Sequence, residues 1–123
     1  MESIKSYRDL IVWQKSMDLV TEVYRITKTF PKEELYVLVP QMRRAAISIP
    51  SNIAEGYTRK SKKEYIQFVQ TAFGSATELE TQMLIAQKLD YLSKIDSNKL
   101  FADVQEVLRM LNGLLKSLKF PSR

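Results

Sequence analysis

Apolar residues recur at alternating spacings of three and four along almost the whole chain, and this period is that of an α-helix. In the first segment two such stripes run side by side, one through Trp13 and Met17 and the other through Val12 and Leu19. Only three glycines and four prolines interrupt the 123 residues, so the frequent turns of a β-sandwich or barrel are lacking. The pattern predicts an all-α fold, an antiparallel up-down-up-down four-helix bundle in a single domain.

The predicted helices cover about residues 9–29, 40–57, 62–90 and 97–119. Ser61 followed by Glu64 has the spacing of a capping box at the start of the third helix. Asp96 or Ser97 is expected to cap the fourth helix. The core stripe of that helix is predicted to contain Phe101, Val104, Leu108, Leu111, Leu115 and Leu118.

Three residues that disfavour helices lie inside the predicted ones. Pro50 is expected to kink the second helix, because its ring displaces the carbonyl group four residues earlier. Gly56 is interpreted as the terminator of the same helix. Gly74 costs the third helix roughly 1 kcal/mol of propensity, which a close approach of a neighbouring backbone is expected to offset.

The composition excludes several kinds of chemistry. Without cysteine the chain has no disulfide, thiolate metal site or cysteine nucleophile, and without histidine it has no imidazole base or ligand. We therefore expect no enzymatic activity and no cofactor. Residues 1–10 lack the layout of a signal peptide, and no apolar run approaches the roughly 18 residues of a membrane span. These absences favour a cytoplasmic protein without membrane contact.

The positive charge is unevenly distributed. Residues 1–63 contain 12 Lys/Arg and 7 Asp/Glu, whereas residues 64–123 contain seven of each. A dense basic run is formed by Arg59, Lys60, Lys62 and Lys63. A solvated loop that keeps the protein soluble would account for this run, and so would a surface that faces phosphates.

Two further residues are candidates for the same surface. Tyr57 precedes the basic run, where its ring could stack on an unpaired base. It could also pack against the third helix as a hydrophobic staple, which is the slightly favoured interpretation. Arg43 points away from the Met42 stripe and is expected to join the basic face or a subunit contact.

Polar residues form a stripe on the second and third helices. They are Arg44, Ser48, Asn52 and Glu55, followed by Ser75 and Glu78. Spacings of three and four place neighbours in this set on one helix face, which favours an interhelical network with Arg44 neutralising a carboxylate near the core. A Mg²⁺ or Ca²⁺ site built from Glu55, Glu78 and Glu80 is the weaker alternative, because bundle metal sites commonly include histidine.

The segments YRDLIVWQKSMDLVTEVY, FPKEE, QMRRAAISIPSNIAEGYTRKSKKEYIQFV and GSATELETQ closely resemble the four-helix-bundle proteins encoded in bacterial 23S rRNA intervening sequences. The resemblance covers about residues 7–92, and SIPSNIAEG is its specific part. It departs from the family pattern at Val39 and Pro40, where small polar residues are usual. The family looks related to the accessory variability protein of diversity-generating retroelements, which works with a reverse transcriptase.

This resemblance implies a non-enzymatic homo-oligomer, a ring-like pentamer, with RNA as an expected partner. Surplus apolar residues beside the core stripes are consistent with a subunit interface. They include Ile11, Val107, Met110 and Leu114. Two functions stay open: a nucleic-acid-binding oligomer whose basic surface surrounds residues 57–63, and a protein-interaction scaffold that does not bind nucleic acid.

Overall fold

The computed structural model describes residues 3–120, which form four α-helices. They are α1 (Ile11–Thr27), α2 (Leu38–Tyr57), α3 (Lys62–Lys88) and α4 (Lys94–Lys119), with short 3-10 turns at Tyr7–Asp9 and Lys32–Glu34. Helices α1 and α3 each pack against both α2 and α4. The predicted all-α four-helix bundle is confirmed. Residues 1–2 and 121–123 of the predicted single domain lie outside the described residues.

Ion pairs between α1 and α4 show the relative direction of these two helices. Lys15 pairs with Glu106 near the start of α1, and Arg25 pairs with Asp96 near its end. Residue numbers therefore rise along α1 as they fall along α4. The two helices run in opposite directions, as the predicted topology requires.

Contacts between α2 and α3 show the same relationship. Ser48 hydrogen bonds to Ser75 near the middle of both helices, whereas Gly56 near the end of α2 lies against Phe68 near the start of α3. These two helices also run in opposite directions. No helix in the described part of the chain combines the length and the apolarity needed to cross a bilayer.

The core lies between the four helices and contains mainly aliphatic side chains. In α2 it is formed as predicted by Met42, Ala46, Ile49 and Ile53. In α1 the stripe through Val12 and Leu19 is buried, while Met17 of the neighbouring stripe remains 41% exposed. A helix of such a bundle buries only the side chains that point at the bundle axis, so apolar residues beside them stay partly exposed.

The core stripe of α4 differs from the prediction. Its buried apolar residues are Leu100, Val104, Val107, Leu111 and Leu115. Phe101 is exposed, and Leu108 and Leu118 are half-buried. The helix carries apolar residues on both sides of its inner face, so the period alone does not fix the centre of the stripe. Val107 belongs to the core, and its assignment to surplus surface was wrong.

The helix starts agree only partly with the predicted capping residues. Ser61 Oγ accepts a hydrogen bond from the Glu64 amide at 3.0 Å. The reciprocal bond of a capping box, in which the Glu64 carboxylate would accept from the Ser61 amide, is not found among the described residues. Helix α4 begins earlier than predicted because Ser93 is its cap and accepts from the Asp96 amide. Asp96 thus lies in the first turn and Ser97 is buried, so both were wrong as caps.

Neither Gly56 nor Gly74 has the role predicted for it. Helix α2 passes through Gly56 and ends at Tyr57, and a Cβ added at Gly56 would stand 2.7 Å from Phe68 Cβ. At Gly74 an added Cβ would have no neighbour within 4 Å. The close approach of α2 and α3 therefore requires Gly56 and not Gly74. Helix α2 is continuous through the buried Pro50, and the kink there stays a prediction.

Candidate nucleic-acid interface

The basic loop, residues 57–63, joins the end of α2 to the first turn of α3. Its three lysines, Lys60, Lys62 and Lys63, are exposed. Among the described residues, none of them has a carboxylate within 4.0 Å. Their ammonium groups are therefore available to an external anion.

Arg59 differs from the lysines because the protein itself holds its guanidinium group. One amino group lies 3.4 Å from Glu55 Oε1, and the guanidinium carbon lies 4.7 Å from the centre of the Phe68 ring. An ion pair and a cation–π contact together fix the side chain on the surface of α2 and α3. The charge of Arg59 is therefore less available to an external anion than the charge of each of the three lysines.

The Tyr57 ring packs against α3. It is half-buried, and its centre lies 6.1 Å from that of Tyr65 at an interplanar angle of 82°, an edge-to-face arrangement. Burial, and to a lesser degree the neighbouring Tyr57, raises the pKa of the Tyr65 hydroxyl. This packing favours the staple interpretation over stacking on a base.

Arg43 lies far from the basic loop. Its Nε donates a hydrogen bond to Thr27 Oγ1 at 3.0 Å, and its guanidinium carbon lies 4.4 Å from the centre of the Tyr24 ring. With a rise of about 1.5 Å per residue, Arg43 is roughly 20 Å from Tyr57 along α2. Its assignment to the basic face was wrong, because α1 binds the side chain near the opposite end of α2.

Three members of the predicted polar network are brought together between α2 and α3. The Oγ atoms of Ser48 and Ser75 are 2.8 Å apart. Asn52 Nδ2 donates to the Ser48 carbonyl oxygen at 2.8 Å and to Ser48 Oγ at 2.9 Å. All three side chains are half-buried, so these bonds are partly shielded from water.

The charged members of the predicted network lie outside it. Arg44 and Glu78 are exposed, and neither forms an ion pair within residues 3–120. Glu55 pairs with Arg59 instead. The prediction that Arg44 neutralises a carboxylate near the core was wrong, because Arg44 lies at the solvent edge of the α2 stripe.

The acidic residues do not converge on a metal site. The pairing of Ser48 with Ser75 places Glu78 level with about Ala45, which is roughly 15 Å from Glu55 along α2. Glu80 accepts a hydrogen bond from Gln105 of α4. In the described part of the chain no three acidic residues are grouped so that they could hold a metal ion.

Sequence reasoning missed a set of ion pairs that joins α1 to α4. Arg25 bridges Glu22 and Asp96, and Lys99 bridges Glu22 and Asp103. The hydrogen bond from Arg25 lowers the pKa of the Glu22 carboxyl, and the nearby charge of Lys99 adds to the effect. The residues are remote in sequence, and only complementary charge on the outer faces of the two helices could have indicated them.

Comparison with known proteins gives one family and one fold. Residues 8–113 match the model of a family described as 23S rRNA-intervening sequence protein. The chain is also similar to a crystal structure from Bacteroides thetaiotaomicron, a protein with unknown function from the S23 ribosomal protein family. The TM-score is 0.81 at 21% identity, over 86% of this chain and 99% of that one, which shows a shared fold. No curated protein matched.

Proposed function

The chain belongs to the 23S rRNA-intervening sequence protein family, and on that premise we propose a non-enzymatic, oligomeric protein that binds RNA through the basic loop. The supporting observation is the group of three exposed lysines, Lys60, Lys62 and Lys63, that have no carboxylate partner among the described residues. Each phosphate that such a lysine neutralises releases counterions into solution, and this release favours binding.

The surroundings of the lysines favour contacts to the RNA backbone. Recognition of unpaired bases commonly uses aromatic rings that are open to stacking, and Tyr57 packs edge-on against Tyr65 instead. Lysine contacts to phosphates position a nucleic acid without reading its sequence. The proposed ligand is therefore structured RNA, bound with little sequence preference.

The test is Lys60/Lys62/Lys63→Gln, which removes three charges and leaves the Arg59 contacts to Glu55 and Phe68 in place. Binding to a fluorescent RNA hairpin is followed by anisotropy over a salt titration. If each lysine meets one phosphate, the magnitude of the negative slope of log K against log salt should decrease by roughly 2 to 3.

A matched control removes three exposed lysines from elsewhere on the molecule, as Lys32/Lys88/Lys94→Gln. Lys32 lies in the connection between α1 and α2, Lys88 is the last residue of α3, and Lys94 is the first residue of α4. The control should retain nearly the wild-type slope. Absence of hairpin binding by the wild-type protein at low salt contradicts the proposal. So does a loop variant that binds as tightly as the wild-type protein.

Self-association is part of the same proposal. Leu35, Tyr36 and Val37 are 52%, 87% and 54% exposed, and Ile47 beside them is 42% exposed. An exposed apolar surface of this kind, in which Leu35 and Ile47 line one groove, supports a subunit interface, and the resemblance stated above supports a pentamer. Light scattering should give a pentameric mass, and Tyr36/Val37→Glu should reduce it to that of a monomer. A monomeric mass for the wild-type protein would contradict the proposed self-association.

The same apolar surface favours a second candidate, a scaffold that binds a reverse-transcriptase-type protein. Such a partner is implied by the resemblance to the accessory variability protein of diversity-generating retroelements. A cytoplasmic location, which the absence of cysteine suits, is proposed in either case. A pull-down from lysate with and without nuclease separates the two candidates. Partners that survive nuclease and are lost in Tyr36/Val37→Glu favour the scaffold, and partners lost on nuclease treatment favour RNA binding.

A further inference from the structure

Helix directions bring two sequence-remote segments together at one end of the bundle. The pairing of Lys15 with Glu106 means that residues before 15 lie level with residues after 106. Lys5 and Arg8, which precede α1, therefore lie at the same end of the bundle as the last turn of α4. That turn carries Lys116 and Lys119.

The basic loop lies at the same end. Arg43 near the start of α2 is bound to Thr27 at the end of α1, so the end of α2 points toward the start of α1. The 3-10 turn Tyr7–Asp9, just before α1, also packs against α2. Three segments thus lie at this end, and we call residues 3–9, 55–64 and 116–120 the basic end.

The basic end accounts for the whole net charge of the protein. It contains eight of the 19 Lys/Arg residues and three of the 14 Asp/Glu residues, and the eleven of each kind elsewhere cancel. The formal net charge of +5 therefore belongs to this end. Its basic residues are Lys5, Arg8, Arg59, Lys60, Lys62, Lys63, Lys116 and Lys119.

Most of these cations are accessible. The four outside the loop are all exposed, and within residues 3–120 none of the four forms an ion pair. Of the three acidic residues, Asp9 accepts hydrogen bonds from the Lys5 and Ser6 amides, and Glu55 pairs with Arg59. Two of the three acids are thus already occupied within the protein, and the exposed Glu64 is the one carboxylate of the basic end without such a partner among the described residues.

We infer that the entire basic end, and not the loop alone, contacts the sugar-phosphate backbone of a double-helical nucleic acid. This inference rests on the proposed function and enlarges its site by Lys5, Arg8, Lys116 and Lys119. The end of a bundle two helices wide measures roughly 20 Å. Double-stranded DNA carries one charge per about 1.7 Å of its axis, so a surface of that width meets several phosphates of a duplex at once.

The test neutralises only the added residues, as Lys5/Arg8/Lys116/Lys119→Gln. Its matched control is Lys28/Lys32/Lys88/Lys94→Gln, which removes the same charge from the other end of the bundle. All four lysines are exposed; two follow α1, and the other two are the last residue of α3 and the first of α4. The probe is an RNA hairpin with a long stem, measured by anisotropy over a salt titration. The variant should reduce the magnitude of the negative slope of log K against log salt by about 3 to 4, and the control should leave the slope nearly unchanged.

The outcomes separate this inference from the proposed function. Loss of binding in the loop variant, with wild-type binding in the four-residue variant, overturns the enlarged site and leaves the proposed function standing. No binding by the wild-type protein overturns both. An equal loss in the control overturns the inference, because net charge alone would then explain the binding.

Two further measurements complete the test. If circular dichroism shows that the four-residue variant does not fold, Lys116/Lys119→Gln alone should still reduce the magnitude of the slope by roughly 2, and an unchanged slope overturns the inference. Polyglutamate serves as an acidic protein competitor. Displacement of the hairpin by polyglutamate at equal charge concentration overturns the assignment to a nucleic acid, whereas retention of the hairpin supports it.

Discussion

Gly56 of α2 faces Phe68 of α3 so closely that a Cβ atom added to the glycine would stand 2.7 Å from Phe68 Cβ. The nearest Tyr65 side-chain atom would be 3.1 Å away, and the Tyr65 carbonyl oxygen 3.3 Å. Phe68 Cβ and the Tyr65 carbonyl oxygen are fixed to the backbone and cannot move without shifting α3. The absence of a side chain at Gly56 therefore sets the separation of the two helices beside the basic loop.

Gly56→Ala should destabilise the protein by about 1 to 3 kcal/mol, because the new methyl group has to push α2 and α3 apart. The matched control is Gly74→Ala, where an added Cβ meets nothing within 4 Å. That substitution should stabilise the protein by roughly 0.5 to 1 kcal/mol through helix propensity. Urea denaturation of both variants gives the two free energies of unfolding. Equal changes in the free energy of unfolding for the two substitutions, or changes opposite in sign to those expected, would contradict the packing described for Gly56.

The two glycines also show how far the sequence predicts the fold. The apolar period was sufficient for four helices and for the buried stripe of α2, because period and burial have the same geometric cause. It could not tell which glycine meets a neighbour, since this depends on where two helices come closest. The cap of α4 was ambiguous for a different reason: Ser93, Asp96 and Ser97 are all good capping residues, and only backbone geometry selects among them.

The candidate site was predictable only where its residues are adjacent in sequence. The basic run at 59–63 is visible as a string of letters, whereas Lys5 and Lys119 join it only through the directions of α1 and α4. Arg43 and Arg44 are neighbours in sequence but differ by about 100° around the helix, which is enough to place one against α1 and the other in solvent.

A second prediction concerns the hydrogen bond between Ser48 and Ser75. Ser48→Ala should cost about 1 kcal/mol, because Ser75 loses its partner and Asn52 keeps only the Ser48 carbonyl oxygen. Ser75→Ala should cost a similar amount. The double variant should cost less than the sum of the two, since neither hydroxyl is then left without its partner. Denaturant unfolding of the four proteins gives the coupling energy, and strict additivity would show that the bond contributes nothing.

Arg43 and Arg44 provide a matched pair for a third prediction. Arg43→Ala should destabilise the protein by roughly 1 to 2 kcal/mol, because it removes the hydrogen bond to Thr27 and the contact with the Tyr24 ring. Arg44→Ala changes the charge equally but should alter stability by less than about 0.5 kcal/mol, since Arg44 is exposed. Both variants should bind the RNA hairpin alike. If Arg43→Ala alone bound the hairpin more weakly, Arg43 would have to be counted among the RNA-binding residues.

A fourth prediction tests the ion pairs between α1 and α4 through pH. The Glu22 carboxyl has a pKa below its ordinary value of 4.5, chiefly because Arg25 donates a hydrogen bond to it. A carboxyl whose pKa is lowered by folding stabilises the folded state at any pH above its pKa in the unfolded chain. That contribution disappears as the pH falls through the pKa of the carboxyl in the folded protein. Both cationic partners are more than half exposed, so the stabilisation is small.

Glu22→Gln should therefore lower the free energy of unfolding at neutral pH by up to about 1 kcal/mol. The difference from the wild-type protein should persist down to about pH 4.5 and vanish at lower pH, where the wild-type carboxyl is protonated as well. Raising the salt concentration at neutral pH should also reduce the difference, because the pairs are open to solvent. Glu78→Gln, at an exposed carboxylate without an ion-pair partner in the described part of the chain, is the control and should show little pH-dependent difference. A Glu22→Gln variant whose deficit is the same at acid and neutral pH would show that the side chain contributes by packing and not by charge.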